Sequence, residues 1–281
     1  MTRSDMQALG WEELDVLLVT GDAYVDHPSF GAPLLGRWLV HHGFRVGLAA
    51  QPDWREERGV DVLKALGRPR LFAGVTAGSL DSMLAHYTAF RKKRSDDAYT
   101  PGGKAGQRPN RAAIVYTNLV RRAFPGLPVM VGGIEASLRR ISHYDFWTDS
   151  IRRSLLLDSK ATALLYGMAE QALLCLAQGL HARGEEGLEA LLAETPGVVY
   201  AGKQLDQSAS DSVLELPSHE AILADPQNLI QATLLLEQHV HHNAQVAIQK
   251  EGARLVVLNP PGEPLDGADL DLLAGLPFSR K

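Results

Sequence analysis

From Asp15 onward, short apolar runs alternate with longer stretches whose apolar residues recur at helical spacing: DVLLVT, GAPLLGRWLVHHG, RVGLAA, VDVLKALG and LFAGVT follow one another. Runs that are apolar at every position suit strands buried on both faces, and the helical stretches between them suit crossovers. The pattern therefore predicts βαβ units and a parallel sheet covered by helices on each side. It resumes with RAAIVYTNLVRRAF as a helix, LPVMVGG as a strand, ALLYG as a strand and MAEQALLCLAQGL as a helix. The expectation is an α/β fold with a doubly wound, five-stranded parallel sheet over residues 1–182. Beyond Leu180 the rhythm changes. A short amphipathic helix at 185–194, a strand VVYAG and a helix capped by Asp225 with Pro226 at its first position come next. A hairpin QVAIQ/ARLVVL turning at Glu251-Gly252 follows, and residues 183–281 read as an α+β appendage.

In a doubly wound sheet, ligands sit outside the carboxyl ends of the strands, near the point where the winding reverses. Those ends are Thr20-Gly21-Asp22, Gln51 to Trp54, Thr76-Ala77-Gly78-Ser79, Gly132-Gly133-Ile134-Glu135 and Tyr166-Gly167. Four of the five carry glycine, which permits a sharp turn and lets a ligand approach the backbone. Thr20, Asp22, Thr76, Ser79, Gly132 and Gly133 are accordingly candidate ligand-binding residues.

The stretch RKKRSDDAYTPGGKAG, residues 91–106, holds seven charges, three glycines and a proline. Gly102 and Gly103 free the backbone beside the cation Lys104, a combination that suits a phosphate or carboxylate. The spacing is not that of a Walker A loop, since Ala105 follows the lysine, so nucleotide hydrolysis of that type is not expected. The alternative is a solvated surface loop.

Three further clusters carry chemistry. Asp26 and His27 are adjacent in the loop after the first strand, where they would serve as an acid/base unit or cofactor ligand, or simply cap the next helix. Glu135, Arg139, Arg140 and His143 crowd into GGIEASLRRISHYDFW, a composition suited to an anionic or planar ligand, or to a helix with a basic outer face. His239, His241 and His242 share a helix, but no acid or cysteine is placed to complete a metal site, and none is expected.

Bulk properties narrow the classes. With 281 residues, 45% hydrophobic and 22% charged, the chain can bury a sizeable core, and a net charge of −5 disfavours general nucleic-acid binding. Cys175, the only cysteine, lies in ALLCLA and reads as a buried, inert thiol. The N-terminal MTRSDMQALGWEELDVLL lacks the features of a secretory signal, and no apolar run approaches the roughly 20 residues that span a bilayer. A cytoplasmic protein with no membrane role is expected.

The motifs VTGDAYVDHPSFG, AQPDWR, LGRPRLFAGVTAGSLDSM, HYTAFRKKRSDDAYTPGGKAG, VGGIEASLRRISHYDFW, RRSLLLDSK and YGMAE, spread over almost the whole chain, resemble the N-terminal region of YgiQ-type radical SAM proteins. The resemblance implies a flavodoxin- or cobalamin-binding-like Rossmann module preceding a radical SAM barrel, whose CxxxCxxC motif holds a [4Fe-4S] cluster that cleaves S-adenosylmethionine. A single cysteine cannot supply three cluster thiolates. Cluster and S-adenosylmethionine are therefore expected only with the barrel, the module's main partner, and LPFSRK reads as the approach to it. The whole is read as a fragment or truncated form. Cobalamin with histidine ligation goes with a DxHxxG pattern in the first loop, a serine near the third strand end and a double glycine at the fourth. Ser79 and Gly132-Gly133 match, but Asp26 and His27 are adjacent and Gly31 lies four beyond the histidine. Histidine-on binding is not expected. Cobalamin held without that ligand and a site lost in divergence both stay open.

The leading expectation is an accessory module that binds rather than reacts, forming one wall of a radical SAM active site for an unknown substrate. A free-standing α/β enzyme using Asp26, His27 and Glu135 on an anionic substrate is a second reading. A third is an RNA-contacting module built on Arg91 to Arg94 with Arg139 and Arg140, not favoured by the acidic net charge.

Overall fold

The computed structural model describes residues 1–55, 57–203, 213–242 and 245–280. Among them the helices are α1 (Arg3–Ala8), α2 (Gly31–His41), α3 (Arg58–Leu66), α4 (Ser82–His86), α5 (Ala112–Ala123), α6 (Gly133–Leu138), α7 (Leu155–Ser159), α8 (Glu170–Arg183), α9 (Leu188–Glu194), α10 (His219–Ala224), α11 (Gln227–His242) and α12 (Gly267–Gly275). The strands are β1 (Val16–Thr20), β2 (Val46–Ala50), β3 (Phe72–Thr76), β4 (Val129–Gly132), β5 (His143–Asp145), β6 (Ser150–Arg152), β7 (Ala163–Leu165), β8 (Val198–Gly202), β9 (Val213–Leu216), β10 (Val246–Glu251) and β11 (Arg254–Leu258).

The main sheet runs β2-β1-β3-β4-β7-β8-β11-β10-β9. The first five strands are mutually parallel. Helices cover both faces because every residue of β1 is buried and alternate side chains enter opposite layers. Val16 and Leu18 pack with Trp38, Leu39 and Leu176 of α2 and α8, whereas Leu17 and Val19 pack with Leu63, Tyr116 and Val120 of α3 and α5. A side chain such as Leu17, fully buried, contributes about 1.5–3 kcal/mol. Winding reverses between β1 and β3, so the crossover helices leave a gap at the carboxyl ends of these two strands.

The expected five-stranded sheet is an undercount: nine strands form it among the described residues. β8 pairs antiparallel with β7, and β11, β10 and β9 extend the same sheet. A third apolar cluster continues beneath α7, α10 and α11, joining Val131 and Leu164 to Val199, Val256, Leu155, Ile222 and Ala232. Hydrogen bonding between β7 and β8 thus crosses the boundary expected near residue 182. The segment after α6 also differs from the helical alternative, because β5 and β6 form a separate two-stranded hairpin. Cys175 is exposed, not buried: on α8 the buried positions are 170, 172, 173, 174, 176, 177 and 180, and 175 points away from them.

Candidate functional site

At the gap left by the winding reversal lies a cavity of about 420 Å³. Its shape follows from the register of the sheet. Leu18, Gly74 and Met130 are aligned across β1, β3 and β4 on the α2/α8 face. Gly74 brings no side chain between the two larger residues, and that gap is the cavity's depth, closed by Leu35 of α2 and Leu173 of α8. Two residues further along each strand, Thr20, Thr76 and Gly132 are aligned at the rim. Gly133 has φ +81°, and a Cβ there would lie 2.4 Å from Thr76 Oγ1, so this turn admits only glycine.

Six of the expected site residues line the cavity: Thr20, Asp22, Thr76, Ser79, Gly132 and Gly133. Asp22 is buried beneath the mouth. Its Oδ2 accepts from the backbone N–H (2.7 Å) and hydroxyl (2.8 Å) of Ser79, and its Oδ1 lies 3.1 Å from Arg108 Nη2. Burial raises the Asp22 pKa, opposed by the Ser79 hydrogen bonds and the Arg108 charge. Arg108 itself is fully buried, with Nε 2.9 Å from Asp97 Oδ2 and Nη1 donating to the carbonyl of Ala77 at 3.1 Å. Glu170, at the start of α8, also lines the cavity; it is 4% exposed and its Oε2 has no hydrogen-bond partner among the described residues. The sequence reading did not single out Glu170, although a carboxylate opening the helix after a strand-end glycine was the available signal.

The remaining expected residues lie elsewhere. Asp26 is held by Arg37 (3.2 and 2.7 Å) and by the backbone N–H of Ser279, contacts that keep its carboxyl well below the usual range. His27 Nδ1 accepts from the backbone N–H of Ser29, so the adjacent pair is not joined as an acid/base unit. Glu135 is buried, accepting from Ser82 Oγ (2.7 Å) and the N–H groups of Ser82 and Ala113. Burial and the neighbouring Asp81 raise its pKa, and its bonds tie α6 to α4 and α5. Arg139 pairs with Asp81, and Arg140 stacks 5.0 Å from the Tyr166 ring centre. His143 donates from Nδ1 to the Ile141 carbonyl, and burial pushes its pKa down to about 4. Gly102, Gly103 and Lys104 do not line the cavity. Their loop is anchored by Asp97 on Arg108 and by the Ala23 N–H donating to the Tyr99 carbonyl at 2.8 Å. His239 is buried with Nε2 2.8 Å from the Gln245 carbonyl, His241 lies 3.4 Å from Glu237, and the side chain of His242 lies outside the described residues.

Among the described residues, no helix is long and apolar enough to cross a membrane. The arrangement joins an apolar slot with a glycine rim, a Glu170 oxygen without a hydrogen-bond partner among the described residues, and flanking buried charge.

Comparisons with known proteins agree with the resemblance carried by the sequence motifs. The family model described as Radical SAM N-terminal matches residues 1–281. A UPF0313 protein of Thermotoga neapolitana is 52% identical over 281 residues, covering all of this chain and 48% of the relative. A UPF0313 protein of Geobacter sulfurreducens is 50% identical, covering all of this chain and 45% of the relative. The chain thus spans about half the length of the curated relatives it matches. Among solved structures, the radical S-adenosylmethionine methyltransferase TsrM of Kitasatospora setae, with cobalamin and a [4Fe-4S] cluster bound, aligns with a TM-score of 0.41 at 20% identity, over 66% of this chain and 26% of that one. The chain belongs to the Radical SAM N-terminal family.

Proposed function

We propose that this chain is the ligand-holding module of a longer radical SAM protein, and that its ligand sits in the cavity at the ends of β1, β3 and β4. One observation carries this reading: the aligned Leu18-Gly74-Met130 row opens an apolar slot of about 420 Å³ whose wall holds an unpartnered Glu170 oxygen. A buried acceptor without a donor costs free energy that a ligand hydroxyl or amide would recover. An apolar planar group with a hydroxyl donor, such as the nucleotide tail of a corrinoid, suits that lining. Thr20, Thr76 and Gly132 would hold it at the rim. His27 does not line the cavity, so any corrinoid would be held without this histidine on its metal. When bound, such a cofactor supplies a cobalt that carries an alkyl group.

Tyr24, Ile134 and Met168 line the mouth yet are 50%, 44% and 76% exposed. Apolar side chains gathered round a ligand mouth favour a covering partner, and the rest of the polypeptide, the part corresponding to the unmatched half of the relatives, is the proposed cover. Asp26 and Glu135 are both engaged in structural bonds, which supports binding over catalysis by that set.

The test is an anaerobic titration with cobalamin followed by gel filtration with visible detection. Co-elution of the chromophore with folded protein, lost in a variant whose cavity is filled, supports the reading. No co-elution with either this chain or the full-length protein would sink the corrinoid assignment.

A further inference from the structure

A second cavity, of about 460 Å³, lies away from the first and is lined by Trp54, His86, Tyr87, Lys93, Arg94 and Asn110 among others. Its polar groups are ordered but incompletely used. His86 Nδ1 is 2.5 Å from Asn110 Oδ1, and the Asn110 amide donates to Tyr87 Oη at 3.2 Å, which fixes Oδ1 as the acceptor and Nδ1 as the donor. His86 Nε2 is then left buried with no partner among the described residues. Arg94 is positioned by its Nε, which donates to the carbonyls of Leu84 (3.0 Å) and Tyr87 (3.3 Å), leaving its terminal nitrogens for something else.

An aromatic series leads out of this cavity. Ring centres are 6.2 Å apart for His86 and Tyr87, 5.1 Å for Tyr87 and Trp147, and 5.3 Å for Trp147 and Phe146. Arg91 lies over Phe146 at 4.6 Å. The series joins the loop at 91–106 to the β5–β6 hairpin. Arg91, Lys92, Lys93 and Arg94 are all exposed, and among the described residues none is within ion-pair distance of a carboxylate. Four consecutive unpaired cations beside a row of rings, on a chain of net charge −5, mark a local site rather than a general attraction.

We infer that the cavity at His86 and the ring series to Phe146 form a binding strip for single-stranded nucleic acid. The rings offer stacking faces that accept any base, the cations track the phosphates, and a base amino or sugar hydroxyl group would satisfy His86 Nε2. The strip is independent of the crevice and of any cofactor there.

The test is fluorescence anisotropy with a labelled oligoribonucleotide of about 12 residues, titrated with the purified protein at several salt concentrations. Neutralising about four phosphates gives a log affinity against log salt slope of about −2.8. The double variant Lys92→Ala/Lys93→Ala, at exposed positions, should flatten that slope by about 1.4. Phe146→Ala should weaken binding about tenfold at an unchanged slope. A free mononucleotide should compete poorly. Absence of binding at low salt, a slope unaltered in the double variant, or a mononucleotide competing as well as the oligomer would each overturn the inference.

Discussion

The backbone N–H of Ser279 donates to Oδ2 of Asp26 at 2.8 Å, across 253 positions of chain, and the N–H of Arg280 donates to the Asp26 carbonyl at the same distance. The Asp26 carboxylate therefore fastens Ser279, and its backbone carbonyl Arg280, to the loop beside the crevice, while Arg37 on α2 holds that carboxylate in place. Replacing Asp26 by Asn keeps the shape but removes the charge and turns one of the two accepting oxygens into an NH2 donor that faces N–H donors. Hydrogen bonds to charged groups contribute about 1.5–3 kcal/mol, so a loss in that range is expected for D26N. Hydrogen exchange should show the damage first at residues 279–280. Because the native pKa of Asp26 is depressed, its contribution is present at neutral pH and is lost as the pH falls through the acid range below about 4.

Gly74 offers a sharper probe of the crevice. A Cβ at this position would meet only Leu18 Cδ2, at 2.8 Å, a flexible contact that can shift. Gly74→Val should therefore fold, at a cost of about 1–3 kcal/mol from overpacking, while filling the slot between Leu18 and Met130. Retained melting cooperativity with abolished ligand uptake is the expected pair of results. Unchanged uptake by a folded G74V protein would move the ligand out of this cavity.

Arg108 lies between Asp22, below the crevice mouth, and Asp97 of the charged loop. Arg108→Met would strand two buried carboxylates, and removing one partner of such a group destabilises by about 3–5 kcal/mol. Chemical denaturation measures the loss. Adding Asp97→Asn to the same chain should recover part of it, and hydrogen exchange across 97–106 should rise in the single variant, since this ion pair anchors the loop.

The parallel strands were legible because burial on both faces writes itself as unbroken apolar runs; all five residues of β1 and the first four of β3 are buried. Their ends located six cavity residues for the same reason, as the rim is a property of strand register. What escaped depends on contacts distant in sequence. Asp26 beside His27 looks like a catalytic pair until Arg37 and Ser279 are seen to occupy the carboxylate. Gly74 and Glu170 acquire meaning only from their neighbours, Leu18 and Met130 in one case and the apolar lining of the cavity in the other. The β5–β6 hairpin was hidden because HYD and SIR are too short to show alternation, and the turn between them is set by Asp145 accepting from the Trp147 N–H and by Asp149 at φ +52°.

Glu251 carries the clearest pH dependence. It is 2% exposed, accepts from the Ser154 N–H at 3.0 Å and from the Ser142 hydroxyl at 3.4 Å, and Ser142 in turn contacts His219 at 2.9 Å. Burial outweighs these bonds and pushes the Glu251 pKa up to about 7, above the value of 4.5 expected of a free glutamate. Between those two pH values the folded chain binds a proton that the unfolded chain has released, so this group's contribution falls as pH rises and is fully lost above about 7. The span corresponds to about 3 kcal/mol. His143, with its pKa pushed down to about 4, acts oppositely, adding stability as pH rises toward 6.5. The two effects separate by difference: Glu251→Gln keeps the acceptor for Ser154 and Ser142 but cannot ionise. Denaturation midpoints from pH 5 to 8 should give a wild type that loses ground against E251Q up to about pH 7 and holds a constant gap above it, and parallel curves throughout would show that Glu251 titrates normally.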